Sequence, residues 1–308
     1  MNESTLNRVE LSRRRLLGAG LMAWLAAPTA RGDDLPRTAG PYVPTPNVIV
    51  ERMLEFAKVG PDDFVVDLGS GDGRMVRTAA KVYGASGFGV DINPALVEMS
   101  NAQAQKEGIA ERAVFYRQDV FKADIHKATV ITLYVLPAMM LGLRPKFLTE
   151  LRPGTRIVSH DYHFREWQPD NRWSFDVPEK REAVGFSSAH IYLWIVPAHV
   201  AGRWRIELVG HKLPAPVAVE LRQTFQQVRG TALVGTRSTE LTNVRLRGDA
   251  FEFTLDAATG ADSELHTYRG KVAGTAMEGD VAWGSGAFDR RYKWKAIRVR
   301  APREPLAQ

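Results

Sequence analysis

The chain has 308 residues, a formal net charge of +6 and no cysteine. Without cysteine it forms no disulfide, no thiolate metal site and no cysteine nucleophile, and its histidines lack metal-ligand spacing, so no metal is predicted. The positive charge is spread along the chain without an aromatic-interleaved basic stripe, which argues against a nucleic-acid partner.

Residues 1–32 resemble an export signal. Residues 12–17 read SRRRLL, and a moderately apolar stretch at 16–27 is followed by small residues. This order is typical of a twin-arginine-like signal peptide. The apolar stretch is too short for a permanent membrane span. The sequence therefore predicts a periplasmic or envelope protein, and a basic N-terminal tail on a cytoplasmic protein stays open as the alternative.

A glycine-rich turn follows the first predicted strand, after a linker and an N-terminal helix at 33–62. Residues 65–74 read VVDLGSGDGR, with Asp67 before the turn and Asp72 within it. Gly69, Gly71 and Gly73 let a ligand lie against bare backbone, and Ser70 between them is a further predicted cofactor-binding residue. Dinucleotide sites space their glycines G-x-G-x-x-G around a pyrophosphate, which these acids would repel. The pattern favours a ligand with an ammonium and a sulfonium, S-adenosylmethionine, over the nicotinamide cofactor of an oxidoreductase.

Two more predicted strands end in acids. The run at 87–92 ends in Asp91 and Ile92, and the run at 113–119 ends in Gln118 and Asp119. The carboxyl ends of parallel strands share one edge of an open sheet, where ligands bind. We expect Asp91 to meet a ribose diol, and Gln118 and Asp119 to meet the adenine edge. The alternative is that these acids only cap strand ends.

Alternating strand and helix patterns over 63–198 predict an α/β, Rossmann-like, seven-stranded sheet. The predicted helices span residues 72–83, 94–108 and 137–151. Further predicted strands span residues 128–135, 155–162 and 189–196, the last antiparallel at one end of the sheet.

After Pro197 the pattern changes to short alternating runs separated by turns, which predict an antiparallel barrel or sandwich over 199–301 and a tail at 302–308. The eight predicted strands are 203–209, 217–226, 230–234, 242–246, 250–255, 266–272, 277–283 and 292–299. Trp204, Trp283 and Trp294 could line a ligand cavity, although such residues usually fill a barrel core.

Five segments of the stretch from residue 40 to about 167 resemble a known family. They are PYVPTP at 41–46, DLGSGDGR at 67–74, GVDINP at 89–94, TLYVLP at 132–137 and PGTRIVSHDYHF at 153–164. Together they resemble the class I S-adenosylmethionine-dependent methyltransferases related to the lysine methyltransferases of the ATP synthase c-subunit and the adenine nucleotide translocase. The predicted β domain lies outside the resemblance.

The resemblance implies roles for individual residues. Tyr42 and Thr45 would close over the cofactor. Asp67, Gly69 and Gly71 would hold its methionine end. Asp91 would hold its ribose, and Asp119 its adenine. The methyl-transfer channel would be bordered by Tyr134, Leu136 and Pro137.

Methyl transfer from a sulfonium is an in-line displacement that depends mainly on alignment. Because desolvation and a nearby cation lower the pKa of a lysine acceptor, no strong general base is required. His160 and Asp161 are the candidates if a base exists, and are equally well explained as a hydrogen-bonded strand end. The predicted function is N-methylation of a lysine in a protein or peptide, with a small-molecule acceptor still open. The alternative is an exported binding or scaffold protein with an inactive methyltransferase-like half.

Overall fold

The computed structural model describes residues 42–213, 215–258, 264–283 and 290–300. The predicted export signal and the predicted tail lie outside these residues, and the domain boundaries at 62/63 and 198/199 stay predictions. The described chain forms a seven-stranded α/β sheet followed by a nine-stranded antiparallel sheet. Within the described ranges, no helix is both long and apolar enough to cross a membrane.

The first sheet confirms the predicted Rossmann-like architecture. Its strands are β1 (Phe64–Leu68), β2 (Ser86–Asp91), β3 (Ala113–Arg117), β4 (Val130–Leu133), β5 (Arg156–His160), β6 (Asn171–Asp176) and β7 (Ser188–Ile195). They lie in the order β3-β2-β1-β4-β5-β7-β6. The first five strands run parallel, whereas β7 is antiparallel to β5 and β6. The carboxyl ends of β1, β2 and β4 therefore share one edge of the sheet.

Five α-helices of the described residues pack around this sheet. They are α1 (Asn47–Phe56), α2 (Arg74–Tyr83), α3 (Pro94–Lys106), α4 (Pro137–Glu150) and α5 (Pro178–Val184). The buried side chains of α1 recur at helical spacing, with Ile49 and Met53 fully buried against the sheet. Helix α2 begins two residues later than predicted, because Gly73 before it has a left-handed backbone.

Two elements of the first half were not predicted. Strand β6 is exposed along nearly its whole length, so its sequence NRWSFD lacks the alternation of a half-buried strand. Helix α5 has seven residues and too few turns for a helical period to show. Because β6 covers the outer side of β7, the strand predicted at 189–196 lies one strand in from the edge.

The second sheet is a single, nearly closed antiparallel sheet, so it resembles a barrel and not a two-sheet sandwich. Its strands, each paired with the next in space, are β11 (Arg237–Glu240), β10 (Gln227–Val234), β9 (Val217–Thr224), β8 (Gly202–Leu208), β16 (Arg290–Arg300), β15 (Ala276–Trp283), β14 (Leu265–Ala273), β13 (Ala250–Asp256) and β12 (Thr242–Arg247). The unpredicted ninth strand, β11, has no large apolar residue. Trp204 and Trp294 are fully buried in the core, which favours packing over a ligand cavity.

The tip of the β9–β10 hairpin inserts into the core of the α/β half. Phe225 is 4% exposed, and its ring stacks on Trp167 with 5.6 Å between centroids and 7° between planes. The Arg144 guanidinium lies 5.6 Å from the centroid of the Phe225 ring. The Gln223 amide donates hydrogen bonds of 2.8 Å to the Ala198 carbonyl and 2.7 Å to the Phe225 carbonyl. The two sheets therefore share buried contacts.

We expect Phe225→Ala to lower the free energy of unfolding by about 3–4 kcal/mol, because truncating a buried aromatic removes transfer energy and leaves a cavity. Leu233→Ala on β10, at a side chain that is 38% exposed, is the control and should cost less than about 0.5 kcal/mol. Urea unfolding measures both values. A loss below about 1 kcal/mol for Phe225→Ala would show that the inserted ring contributes little.

Candidate active site

The turn after β1 is held by backbone hydrogen bonds to the end of β2. The amides of Gly69 and Ser70 each donate to the Val90 carbonyl at 2.9 Å, and the Gly71 amide donates to Asp91 Oδ2 at 2.9 Å. Gly71 has φ +53°, and a Cβ built on it would lie 2.5 Å from Tyr42 Cε2. Only glycine allows this backbone to come so close to the neighbouring ring.

A cavity of about 450 Å³ opens beside this turn, at the carboxyl edge of the first sheet. Of the residues predicted to form the site, the structure brings nine to the cavity wall: Tyr42, Thr45, Asp67, Gly69, Ser70, Gly71, Asp91, Ile92 and Tyr134. Leu136, which the resemblance placed at the channel, lines it as well. The cavity falls within the size range of small-molecule sites.

Asp67 is a buried acid at the floor of the cavity. Its Oδ1 accepts a hydrogen bond of 2.6 Å from Thr132 Oγ1. Burial raises the pKa of Asp67 to about 7, and the charges of Asp91 and Asp72 add to the rise, although the Thr132 bond opposes it. The negative charge is therefore costly at this position, and a bound cation would offset that cost.

Asp72 does not present a free charge to a ligand, contrary to the sequence-based argument. Arg74 Nε lies 2.9 Å from Asp72 Oδ1, and Arg74 Nη2 lies 2.6 Å from Asp72 Oδ2. Burial alone would raise the pKa of Asp72, but hydrogen bonds and charge from Arg74 hold it below its usual range. Arg74 Nη1 also donates to the Thr45 carbonyl at 2.7 Å, so this pair fastens the N-terminal segment over the cavity.

Another part of the cavity wall is apolar and aromatic and carries no charge. It includes Tyr134, Leu136, Tyr162 and Val184. The Tyr134 and Tyr162 rings are nearly parallel, with 6.2 Å between centroids. Burial raises the pKa of Tyr134 to about 12, and the charge of Asp161 adds to this. The Tyr134 hydroxyl is therefore neutral near pH 7 and cannot accept a proton as a phenolate.

Four predicted residues lie outside the cavity wall and make local structural contacts. The Gln118 amide donates to the Lys122 carbonyl at 3.1 Å. Asp119 Oδ1 accepts from the Phe121 amide at 3.0 Å, which caps a short 3-10 helix. Gly73 packs against Phe115 and Ser100, and Pro137 begins α4. Asp119, after β3, is therefore not among the residues of the cavity wall, and its contact with adenine stays a prediction.

His160 and Asp161 also lie behind the wall. His160 is 1% exposed, its ring centroid lies 4.2 Å from that of Tyr134, and burial lowers its pKa to about 4. Asp161 Oδ2 lies 2.5 Å from Lys180 Nζ. One candidate base is thus weakly basic and the other is paired with a cation, and neither contacts the cavity.

Sequence reasoning missed several wall residues, among them Arg74, Tyr162 and Val184. Arg74 and Tyr162 lie within the matched segments at 67–74 and 153–164 and could have been found there. Val184 lies on α5, which gave no sequence signal.

Comparisons with known proteins agree with this geometry. The family model of the ANTKMT methyltransferase domain matches residues 67–171. A protein-lysine N-methyltransferase of Saccharolobus islandicus (strain REY15A) is 46% identical over 130 residues, which are 42% of this chain and 81% of that protein. The human lysine N-methyltransferase of the ATP synthase c-subunit is 32% identical over 189 residues, 58% of this chain and 80% of that protein.

Among solved structures, an RNA methyltransferase from Salinibacter ruber in complex with S-adenosyl-L-homocysteine is 42% identical, with a TM-score of 0.46. It covers 51% of this chain and 96% of its own. The matches thus fall on about half of the chain.

We expect Asp67→Asn to gain stability relative to the wild type as the pH rises. The folded-state pKa of about 7 lies above the unfolded value of 3.8, so the wild type loses unfolding free energy as the pH rises through this window. Between pH 5 and 8 the variant's advantage should grow by about 2.5 kcal/mol, since one pKa unit is worth about 1.4 kcal/mol.

Urea unfolding of the ligand-free proteins at both pH values measures this difference. Asp62→Asn, at an exposed position, is the control and should show no pH-dependent gain. If the difference in unfolding free energy between Asp67→Asn and the wild type is the same at both pH values, the pKa of Asp67 is not raised.

Proposed function

The chain belongs to the methyltransferase family of the protein-lysine and ATP synthase c-subunit lysine N-methyltransferases, and we propose that it methylates a lysine Nζ of a protein with S-adenosylmethionine as methyl donor. The observation that carries the proposal is the arrangement of one cavity. A glycine turn with Asp67 and Asp91 lines one part, called here the cofactor end, and the uncharged rings of Tyr134 and Tyr162 line another part, called the lysine-binding end.

The cofactor end of the cavity fits this donor. Gly69 and Gly71 offer backbone without side chains, and the Ser70 hydroxyl is buried without a hydrogen-bond partner among the described residues. Asp67 would hold the ammonium group and Asp91 the ribose hydroxyls. Both Asp91 oxygens already accept backbone amides, from Gly71 and Asn93, but a carboxylate has about four acceptor positions.

When bound, S-adenosylmethionine supplies a methyl group on a sulfonium that is open to in-line attack. The side chains of Tyr134, Tyr162, Leu136 and Val184 can pack along the apolar stem of a lysine and exclude water from its amine. Desolvation lowers the lysine pKa, so the amine gives up its proton to solvent as it enters the cavity, and no strong base is needed. The placement of His160 and Asp161 behind the wall supports this base-free transfer.

Calorimetry of the purified protein with S-adenosylmethionine tests the cofactor site. Loss of a charged hydrogen bond costs about 1.5–3 kcal/mol, so we expect Asp91→Asn to weaken binding at least tenfold. Glu98→Gln, at an exposed position on α3, is the control and should bind as the wild type does. If the wild type fails to bind the cofactor, the enzymatic proposal is wrong and the result favours the binding or scaffold alternative.

Isotope-labelled S-adenosylmethionine with an extract of the source cells tests the acceptor class. Mass spectrometry should find label on lysine side chains of proteins. Label recovered in RNA or in small molecules would contradict the lysine assignment while leaving methyl transfer intact.

The base-free mechanism predicts that the Tyr134 hydroxyl is dispensable and that its ring is not. General-base catalysis contributes about 100-fold or more, so a loss below about tenfold for Tyr134→Phe indicates no such role. We expect Tyr134→Ala to lose more than Tyr134→Phe, because the wall that aligns the amine is opened. Steady-state kinetics on the identified acceptor measures both. A loss of about 100-fold or more in Tyr134→Phe would assign the hydroxyl a proton-transfer role.

We also propose that the protein is exported to the periplasm or envelope. The support is the twin-arginine-like sequence of residues 12–17 and the small residues after the apolar stretch. Cell fractionation of the full chain tests this location, and a wholly cytoplasmic protein would contradict it.

A further inference from the structure

The chain turns sharply immediately after β5, at Asp161. This residue has φ +61°, in the left-handed region that is uncommon for residues other than glycine. Three bonds hold it there. Its amide donates to the His190 carbonyl at 2.7 Å, its Oδ1 accepts from the His190 amide at 3.1 Å, and its Oδ2 lies 2.5 Å from Lys180 Nζ. The turn is thus fixed by β7 and by α5.

Lys180 is a buried lysine with 1% exposure. Its Nζ also donates to the Ser188 carbonyl at 2.5 Å and lies 4.7 Å from the centroid of the Phe186 ring. Buried ion pairs are often no more stabilising than apolar replacements, because both charges are desolvated. A buried pair of this kind can instead fix one conformation of the segments that it joins.

The Asp161–Lys180 pair joins separate parts of the uncharged cavity wall. Tyr162 follows Asp161 directly, and Val184 lies four residues after Lys180, on the same face of α5. Asp161 Oδ2 is also 3.5 Å from Nε2 of His160, whose ring lies against Tyr134. Tyr134, Tyr162 and Val184 are thus all linked to the Asp161–Lys180 contact. The glycine turn is instead held by the end of β2.

We infer that Asp161 and Lys180 are positioning residues that set the shape of the lysine-binding end of the cavity without acting on the cofactor end. This inference rests on the proposed function. The pair holds the walls at the spacing that accepts an alkylammonium chain, and a small displacement of these walls misaligns the amine.

The test uses two ligands of different reach. S-adenosylhomocysteine occupies the cofactor end alone, and a bisubstrate probe adds a lysine-like aminobutyl arm to it. Calorimetry compares the wild type with Asp161→Asn, Lys180→Met and the double variant, in which no buried charge is left unpaired. In the variants, we expect the affinity for S-adenosylhomocysteine to stay within about twofold of the wild-type value. The extra affinity that the arm gives should fall at least about tenfold. The double variant should lose no more than the worse single variant, because the two residues act as one unit.

Arg205→Met with Glu207→Gln removes an exposed ion pair on β8 and is the matched control, which should bind both ligands as the wild type does. In the wild type, the arm should also add amide-exchange protection at 161–164 and 180–186 beyond that given by S-adenosylhomocysteine, a readout that does not depend on any variant folding.

Three outcomes would overturn the inference: full retention of the arm's affinity in the variants, parallel loss of both ligands, or an arm that adds no affinity and no protection in the wild type. Failure of the wild type to bind S-adenosylhomocysteine would instead overturn the proposed function itself.

Discussion

The hydrogen bond from the Gly71 amide to the Asp91 carboxylate is the contact on which the cavity depends. It ties the turn after β1 to the end of β2 and needs the left-handed backbone of Gly71. The same geometry leaves room for Tyr42 against the turn. Because the contact uses backbone atoms on one side, this end of the cavity has little freedom to repack, and it is suited to a ligand that is the same in every reaction cycle.

The sequence was a good guide to this end of the site because its signals are local. The β-branched residues of β1 and the alternating glycines are adjacent in the chain, and Asp91 ends the next strand. Asp119 shows the limit of that logic, and its contact with adenine stays a prediction. An acid after a strand can turn into the cleft or cap the next turn, and Asp119 caps the Phe121 amide. The identity of the residue does not distinguish these outcomes, since both satisfy the same carboxylate.

Tyr134 and Leu136 of the proposed lysine-binding end were predicted from the resemblance, but Val184 was not, because it lies on an element without a local pattern. Helix α5 is too short to show a period, and β6 is too exposed to alternate. Lys180 would be assigned to the surface from its residue type, and only tertiary structure shows its burial beside Asp161. In the second sheet, alternation gave eight of the nine strands, but closure into a barrel-like sheet depends on pairings between distant segments.

The insertion of Phe225 also determines when during synthesis the core of the first half can be completed. The ring that completes the aromatic core around Trp167 comes from a hairpin almost sixty residues further along the chain. Domains usually fold as they leave the ribosome, N-terminal part first, but here the aromatic core around Trp167 is complete only once the tip of the β9–β10 hairpin has been synthesised. A nascent chain that ends before this hairpin would leave the Trp167 ring without its stacking partner and exposed to chaperones and proteases. Full burial of this core therefore requires the second half of the chain.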